Sequence, residues 1–517
     1  MSSRLLFLPL TLLLCSCGLH TGSNTEPIDT IPPIEPLSAT PLPSAEDVKY
    51  EVEVYDTLTP GTLTSLDDPY ADAPGIFTFR GGPLRDANFG GTVSHKPQRI
   101  VQRWVFETEE DFTKTQHGTW GGGTGWTGQP VYVAWPDSAA QRFSQEGGGL
   151  TGPLPHEEII VGSLCEKVYF IDFATGKASR TPLETTNPIK GSVSLAPDLS
   201  GLLLVGQGIP KVPPMGRLAF NLFSHKQTYF SGADHKAWLG WQANDSSPLV
   251  LGGFVFWPSE NGTVYKYLVH DGTVTPHSAL QWAKASGHAG GIENSMCAYR
   301  NYGFVGNNVG DILCFDLNTL RPIWHYDNHD DIDASIVCEV EGDTPYIYCC
   351  SEVDRQGDAG TAYFVKLNGL TGEPVWENRM PCTKLIKFEK HFDGGFYSTP
   401  LPGRGNCAHL IFTDVCQHEG SDKAEFTAFR KDNGEVAYRV QLASWAWSSP
   451  VAFYGPNGEM YIFAGDTAGY ASLIDGLTGE VLFKEHLVNN FESSPVVVGN
   501  EFVVGSRGKQ IYKFAVE

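Results

Sequence analysis

The chain has 517 residues and a formal charge of −23, from 36 Lys and Arg against 59 Asp and Glu. Such an acidic surface repels phosphate backbones, which argues against nucleic acid as a partner. Hydrophobic residues at 41% exclude a disordered chain, and the 57 Gly and 34 Pro, which follow no collagen-like period, favour frequent turns between short strands.

The N-terminus has the features of a secretory signal. A basic residue precedes the apolar run 5–14, which is too short to span a bilayer permanently. Cys17 ends a Leu-Cys-Ser-Cys sequence that resembles a bacterial lipobox, so we expect a lipoprotein signal peptide at 1–17 and lipidation of Cys17. The alternative is an ordinary signal peptide cleaved near Gly18.

Three further segments follow the predicted signal. Residues 18–49 carry repeated Pro among Thr, Ser and acidic residues, which predicts a semi-rigid extended tether. Residues 50–99 contain Phe within Gly-rich turns, and we expect them to pack irregularly on the next domain. Residues 100–517 form that domain.

A short motif recurs through residues 100–517: a small or polar pair, then Pro or an apolar residue, then a β-former. We call its third residue the anchor. The eight anchors are Pro130, Ser194, Pro248, Met296, Ile336, Pro400, Pro450 and Pro495, and the second copy, with Ser194, is degenerate. Their spacing runs from 40 to 64 residues, and downstream of each anchor lies a short strand pattern. In most units this pattern carries an aromatic residue, and in several it ends in a Gly turn before an aromatic strand. Such repeats are typical of β-propeller blades.

The repeat predicts an all-β fold: an eight-bladed β-propeller with four-stranded antiparallel blades. The last unit stops after 511–517 without its fourth strand. Residues 100–106 have the aromatic-strand pattern that is missing there. We therefore expect this N-terminal strand to complete the last blade and close the ring, which hides both sheet edges.

The unit Ser-Ser-Pro-Val, followed by strands and a Thr-Gly-Glu turn, is similar to the pyrroloquinoline quinone (PQQ) type propeller repeat. The segments 362–376, 470–483 and 490–497 carry the resemblance best. It implies one of two functional classes. One is the quinoprotein alcohol and sugar dehydrogenases, and the other is the non-catalytic propeller lipoproteins of the BamB type, which serve outer-membrane β-barrel assembly. Fold alone does not choose between them.

A quinoprotein needs a lid above the quinone, a calcium held by carboxylate and amide oxygens, and a carboxylate base. Cys349-Cys350 could form a vicinal disulfide lid, Glu293-Asn294 a pair of calcium ligands, and Asp331 or Asp333 the base. We favour structural roles. Both Cys lie in a predicted strand, where consecutive side chains point to opposite faces. The chain also lacks a clean run of the tryptophan-bearing repeats that interlock blades in the dehydrogenases.

Superposing the repeats predicts a binding site at the channel mouth. The position three residues before each anchor lies near the central channel in a propeller, and four of its eight occupants are carboxylates. Like charges around one opening raise one another's pKa or attract a cation. The predicted channel-mouth residues are Trp126, Asp245, Glu293, Asp333, Tyr397, Trp447 and Glu492. The alternative is that these carboxylates only accept hydrogen bonds from loop amides of the next blade.

These observations favour a non-catalytic, monomeric propeller that acts as a protein-binding scaffold. We expect it to be lipid-anchored in the cell envelope of a Gram-negative-type bacterium, at the outer membrane, with other envelope proteins as partners and no cofactor. The first alternative is a quinoprotein dehydrogenase dependent on PQQ and calcium. The second is a surface glycan-binding protein, because sugar rings stack on indoles such as that of Trp447.

Overall fold

A computed structural model describes residues 41–387 and 390–517, which form eight antiparallel blades arranged as a β-propeller. The prediction of an all-β, eight-bladed fold is confirmed. The predicted signal peptide 1–17, Cys17 and tether residues 18–40 lie outside the described residues. Among the described helices, none is long and apolar enough to cross a membrane.

Each anchor motif begins or leads directly into the innermost strand of its blade. Blades are numbered in chain order, and strands are given from the channel outward. Blades 1 to 4 consist of Val131–Ala134, Glu157–Gly162, Lys167–Asp172 and Leu183–Glu184; Ser194–Leu195, Leu202–Gly206, Arg217–Asn221 and Lys226–Ser231; Leu249–Leu251, Phe254–Pro258, Thr263–His270 and Thr273–Lys284; and Cys297–Tyr299, Tyr302–Gly306, Asp311–Asp316 and Pro322–Asp327.

The last four blades end in the predicted ring closure. Blades 5 to 8 consist of Val337–Glu341, Thr344–Cys350, Ala359–Asn368 and Pro374–Thr383; Leu401–Pro402, Leu410–Cys416, Ala424–Arg430 and Val436–Gln441; Val451–Tyr454, Met460–Gly465, Tyr470–Asp475 and Val481–His486; and Val496–Val498, Glu501–Gly505, Gln510–Val516 and Ile100–Glu107. Because Ile100–Glu107 pairs antiparallel with Gln510–Val516, the N-terminal strand completes blade 8.

Several blades carry strands beyond the predicted four. Val48–Val54 pairs with the outermost strand of blade 3, so the described end of the predicted tether belongs to the propeller rim. The other additional elements are Gly75–Ile76 inside blade 1, Gly91–Thr92 inside blade 7, Glu352–Val353 and Gly394–Gly395 on blade 6, the hairpins Glu110–Asp111 with Gly121–Gly122 and Leu385–Lys387 with Lys390–Phe392, the α-helix Asp137–Glu146, and the 3-10 helices Pro43–Asp47 and Gly405–Cys407.

A chain of hydroxyl groups explains the small polar residue before the anchor. From blade 3 to blade 8, the backbone N–H at this position donates to the hydroxyl at the same position of the next blade, at 2.8 to 3.2 Å. The residues that share this role are Ser247, Ser295, Ser335, Thr399, Ser449 and Ser494. All are buried, so each hydroxyl satisfies an amide that water cannot reach.

Replacing one hydroxyl in this chain should destabilise the ring measurably. In Ser295→Ala the buried N–H of Ser247, now 2.8 Å from the Ser295 hydroxyl, loses its acceptor. We expect the free energy of unfolding to fall by about 1 to 3 kcal/mol, as for an unsatisfied buried donor. Urea denaturation would measure the loss, and Ser94→Ala, at an exposed position, should change stability by less than about 0.5 kcal/mol.

Aromatic side chains of the outermost strands join neighbouring blades. Each donates a hydrogen bond, of 2.6 to 2.9 Å, to a backbone carbonyl of the next blade: Trp104 to Phe173, Trp324 to Gly369, Trp376 to Lys431, and Tyr438 to Gly476. At the second of these junctions Gly372 has a φ of 73°, and a Cβ there would lie 2.7 Å from the Trp324 ring. Thus the Gly of the Thr-Gly turn provides both the turn conformation and room for the indole.

Residues 75–92, which we call the plug, cross the centre of the ring. They contact the innermost strand, or a residue directly beside it, in every blade. Contacts run from Gly75 to Val133, Phe77 to Leu195, Thr78 to Pro248, Pro83 to Ala298, Leu84 to Cys338, Arg80 to Pro400, Gly91 to Phe453, and Thr92 to Gly499. The channel is therefore filled by the chain's own N-terminal segment at the level of the anchors.

Two buried arginines hold the plug in place. The Arg80 guanidinium donates to the carbonyl oxygens of Pro450 at 2.7 Å and Pro400 at 3.1 Å. Arg85 donates to the carbonyl oxygens of Met296 and Ser247 at 2.9 and 2.7 Å on the blades opposite. Burial lowers the pKa of Arg80 to about 9 and that of Arg85 to about 10, so both remain charged at neutral pH.

Candidate functional site

The channel mouth holds a cavity of about 310 Å³ on the side of the anchors from which the innermost strands begin. Of the predicted channel-mouth residues, Trp126, Glu293, Asp333, Tyr397, Trp447 and Glu492 line it. The remaining one, Asp245, lies beside it, where its carboxylate forms an ion pair with the cavity residue Lys190. The residues come together because each stands three positions before an anchor, or four in the case of Trp126, and the anchors occupy equivalent places in successive blades.

Aromatic rings form much of the cavity wall. The rings of Tyr397 and Trp447 have centroids 5.9 Å apart, and Phe392 stacks on Trp445 with centroids 4.0 Å apart. The indole nitrogens of Trp120 and Trp126 are buried and donate no hydrogen bond to any described residue. Because these nitrogens are covered by protein atoms, the two side chains line the cavity with their rings and not with accessible N–H groups.

Carboxylates make the cavity strongly acidic. Burial is the main cause that raises the pKa of Glu293 to about 8. The negative charges of Asp333 and Asp245 add to the rise, and the positive charge of Lys190 opposes it. Burial likewise raises the pKa of Asp333 to about 6. At neutral pH Glu293 therefore carries a proton for much of the time, and a cation that approaches favours its ionised form.

Three residues that the repeat did not single out belong to this acidic region. Glu260 and Glu352 follow the second strand of blades 3 and 5, and burial raises the pKa of both carboxyls well above the ordinary value. Lys190 stands one position before the superposed site in blade 2. In an antiparallel blade, the turn after the second strand lies at the same end of the blade as the start of the first strand. A search of these turns for acidic residues would therefore have found both carboxylates from the sequence.

The positive charges of the cavity already have partners. Of the described residues that line it, Lys190 and Arg507 carry positive charge. Lys190 pairs with Asp245, and an Arg507 nitrogen lies 3.4 Å from a Glu492 oxygen. Burial alone would lower the pKa of Lys190, but the charges of Asp245, Glu293 and Glu260 raise it above its ordinary value.

The residues that line the cavity do not fit PQQ, and Asn294 is not placed to bind a calcium ion there. PQQ carries three carboxylates, and this cavity is anionic with its cations already paired. Asn294 is 99% buried, and its side-chain N–H groups donate to the carbonyls of Gly306 and Ile332 at 2.9 and 2.8 Å, so it does not line the cavity. Cys349 and Cys350 are free thiols in separate hydrophobic clusters, as expected for structural residues on opposite faces of a strand.

Comparison with known proteins supports the fold and goes no further. No protein-family profile matches the sequence, and no curated protein matches it. A solved structure of a quinohemoprotein alcohol dehydrogenase from Comamonas testosteroni is 13% identical in sequence. The match covers 86% of this chain and 82% of the dehydrogenase chain, with a TM-score of 0.54. BamB from Moraxella catarrhalis is 14% identical, with 69% and 93% covered and a TM-score of 0.47. The chain thus has a propeller fold similar to that of the dehydrogenase, and at 13% identity the likeness shows the fold alone.

Proposed function

We propose that this protein is a non-catalytic binding propeller of the bacterial cell envelope, whose channel mouth receives a cationic segment of a partner protein. The observation that carries the proposal is the convergence of Glu293, Asp333 and Glu492 with aromatic side chains around one cavity whose own cations are already paired. Lysine or arginine side chains of a partner would supply the missing positive charge and stack on the indoles.

The shape and lining of the cavity favour a peptide side chain as the carrier of that charge. Trp126 and Trp447 line the cavity, and a cationic side chain can stack on their indole rings. The plug fills the ring at the level of the anchors, so a ligand enters from the mouth and meets a closed floor. A blind acidic cavity of about 310 Å³ suits one or two side chains of a docked segment rather than a chain that threads through the ring.

The envelope location and the lipid anchor are part of this proposal. The lipobox-like sequence ending at Cys17 supports them, and so does the resemblance of the repeat to propeller lipoproteins. Palmitate labelling of the full chain in a Gram-negative host, with Cys17→Ala as the unlabelled control, tests the anchor separately from the binding site.

The binding proposal is tested with arginine-bearing peptides, because arginine does not change its charge over the usual pH range. We expect a fluorescent Arg-Gly peptide to bind the purified protein with an affinity that falls as salt is raised. Glu293→Gln with Asp333→Asn removes two carboxyl groups that can ionise against the arginine, and it should weaken binding at least tenfold, measured by fluorescence anisotropy.

The matched control changes two carboxylates that are exposed and distant from the mouth, in Glu485→Gln with Asp432→Asn. This control protein should bind the peptide as the native protein does. Equal weakening in both doubly substituted proteins would show a non-specific charge effect and contradict the proposal. Uptake of PQQ and calcium by the native protein with dye reduction would replace it with the dehydrogenase alternative.

A further inference from the structure

Three carboxylates of the acidic region are arranged as ligands for one cation. Asp245 precedes the first strand of blade 3, Glu260 lies between its second and third strands, and Glu293 precedes blade 4. One oxygen from each lies within 4.8 Å of the others. Carboxylate oxygens at this spacing are suited to a hard divalent cation such as calcium. We call these three residues the carboxylate triad.

Glu260 and Asp245 both have buried carboxylate oxygens that accept no hydrogen bond from any described residue. Glu260 is 5% exposed, and its Oε2 accepts a hydrogen bond of 2.6 Å from the Trp241 indole. Its Oε1 is buried and accepts no hydrogen bond from any described residue. Burial raises the pKa of this carboxyl, so its ionised form needs a compensating positive charge nearby.

The chain supplies a positive charge from blade 2. The Lys190 ammonium forms an ion pair with Asp245, and Glu293 and Glu260 are the next carboxylates whose charges act on it. The residue is positioned by its backbone as well, since its carbonyl accepts a hydrogen bond of 3.2 Å from the N–H of Gly128. A metal ion bound by the whole triad would lie close to this ammonium and be repelled by it.

We propose that Lys190 is the resident counter-ion of the carboxylate triad and that it prevents the triad from binding a divalent cation. The chain's own ammonium thus takes the place of a metal at the channel mouth. This proposal goes beyond the proposed function and does not depend on it, because the triad and its counter-ion are the same whether or not a peptide binds.

Calcium titration of Lys190→Met tests it. The native protein should give no heat of calcium binding and no change in melting temperature. Lys190→Met should melt at a lower temperature, because the triad is left buried without its counter-charge. Added calcium at 1 mM should then raise that melting temperature by at least about 3 °C, and the further change Glu260→Gln should abolish the response.

The matched control is Lys284→Met, which removes another ion-paired lysine outside the triad and should gain no calcium response. Calcium binding by the native protein would overturn the proposal whatever the variants do. A folded Lys190→Met that binds no calcium would overturn it as well. Lys190→Gln, which keeps a hydrogen-bond donor near Asp245, provides the same comparison if the methionine variant folds poorly.

Discussion

Replacing Arg85 with alanine should destabilise the propeller by about 3 to 5 kcal/mol. The Arg85 guanidinium is completely buried. It donates to Met296, Ser247 and Phe79 carbonyl oxygens and to the Thr78 hydroxyl, at 2.6 to 2.9 Å. Truncation to alanine removes all four of these hydrogen bonds and creates a cavity at the centre of the ring. Chemical denaturation of the full chain would measure the loss.

An exposed arginine provides the comparison for Arg85. Arg379 pairs with Glu377 on the outermost strand of blade 5 and has 67% of its side chain exposed, so Arg379→Ala should change stability by less than about 1 kcal/mol. Arg85→Lys should restore little, because an ammonium cannot reproduce the planar set of donors. A small effect of Arg85→Ala would mean that the plug is not needed to hold the blades together.

Replacing Asp414 with asparagine should stabilise the protein, and more so as the pH rises. Asp414 lies on the second strand of blade 6 and is completely buried. Burial, with a smaller contribution from Asp466, raises its pKa to about 8. Since the unfolded carboxyl has a pKa near 3.9, the folded state binds a proton that the unfolded state has released between these two values.

The sign follows from this difference. The stability associated with protonated Asp414 is fully present below about pH 4 and is lost as the pH rises to about 8. Asn resembles the protonated acid and does not titrate. The difference in free energy of unfolding between Asp414→Asn and the native protein should therefore grow by roughly 2 to 4 kcal/mol as the pH rises from 5 to 8. Urea denaturation at both pH values measures the gain. Asp432→Asn, at an exposed turn, should show no such change with pH, and a parallel decline in native and Asp414→Asn protein would refute the assignment.

The sequence repeat predicts the blades because the residues that define the repeat also make the contacts between blades. Pro400 and Pro450 precede innermost strands as expected, and Ser247 and Ser295 show why a hydroxyl residue stands before the anchor. The same alignment brings Glu293, Asp333 and Trp447 to one cavity, since equivalent positions in a ring of similar units must face one another. Whether these side chains bind a ligand remains a proposal.

The plug could not be predicted from the repeat. Its residues belong to none of the eight units, and most of its contacts are hydrogen bonds to backbone N–H and carbonyl groups, which leave no pattern in the sequence of the partner strands. Phe77 and Phe79 indicate a buried segment, but the sequence does not show what buries it. Nothing in the sequence distinguishes Arg80 and Arg85 from surface arginines, because their acceptors lie on distant blades. Lys190 was missed for a similar reason, because its role depends on carboxylates supplied by two other blades.

The plug also constrains the order in which the chain can fold. Residues 75–92 leave the ribosome before any complete blade, yet Arg80 finds an acceptor at Pro450, 370 residues later. Contacts this distant in sequence carry a large loop-closure entropy and are slow to form. A segment synthesised before the strands of all eight blades is thus among the last to complete its hydrogen bonds. A chain that ends before blade 7 would retain a buried guanidinium without its closest acceptor.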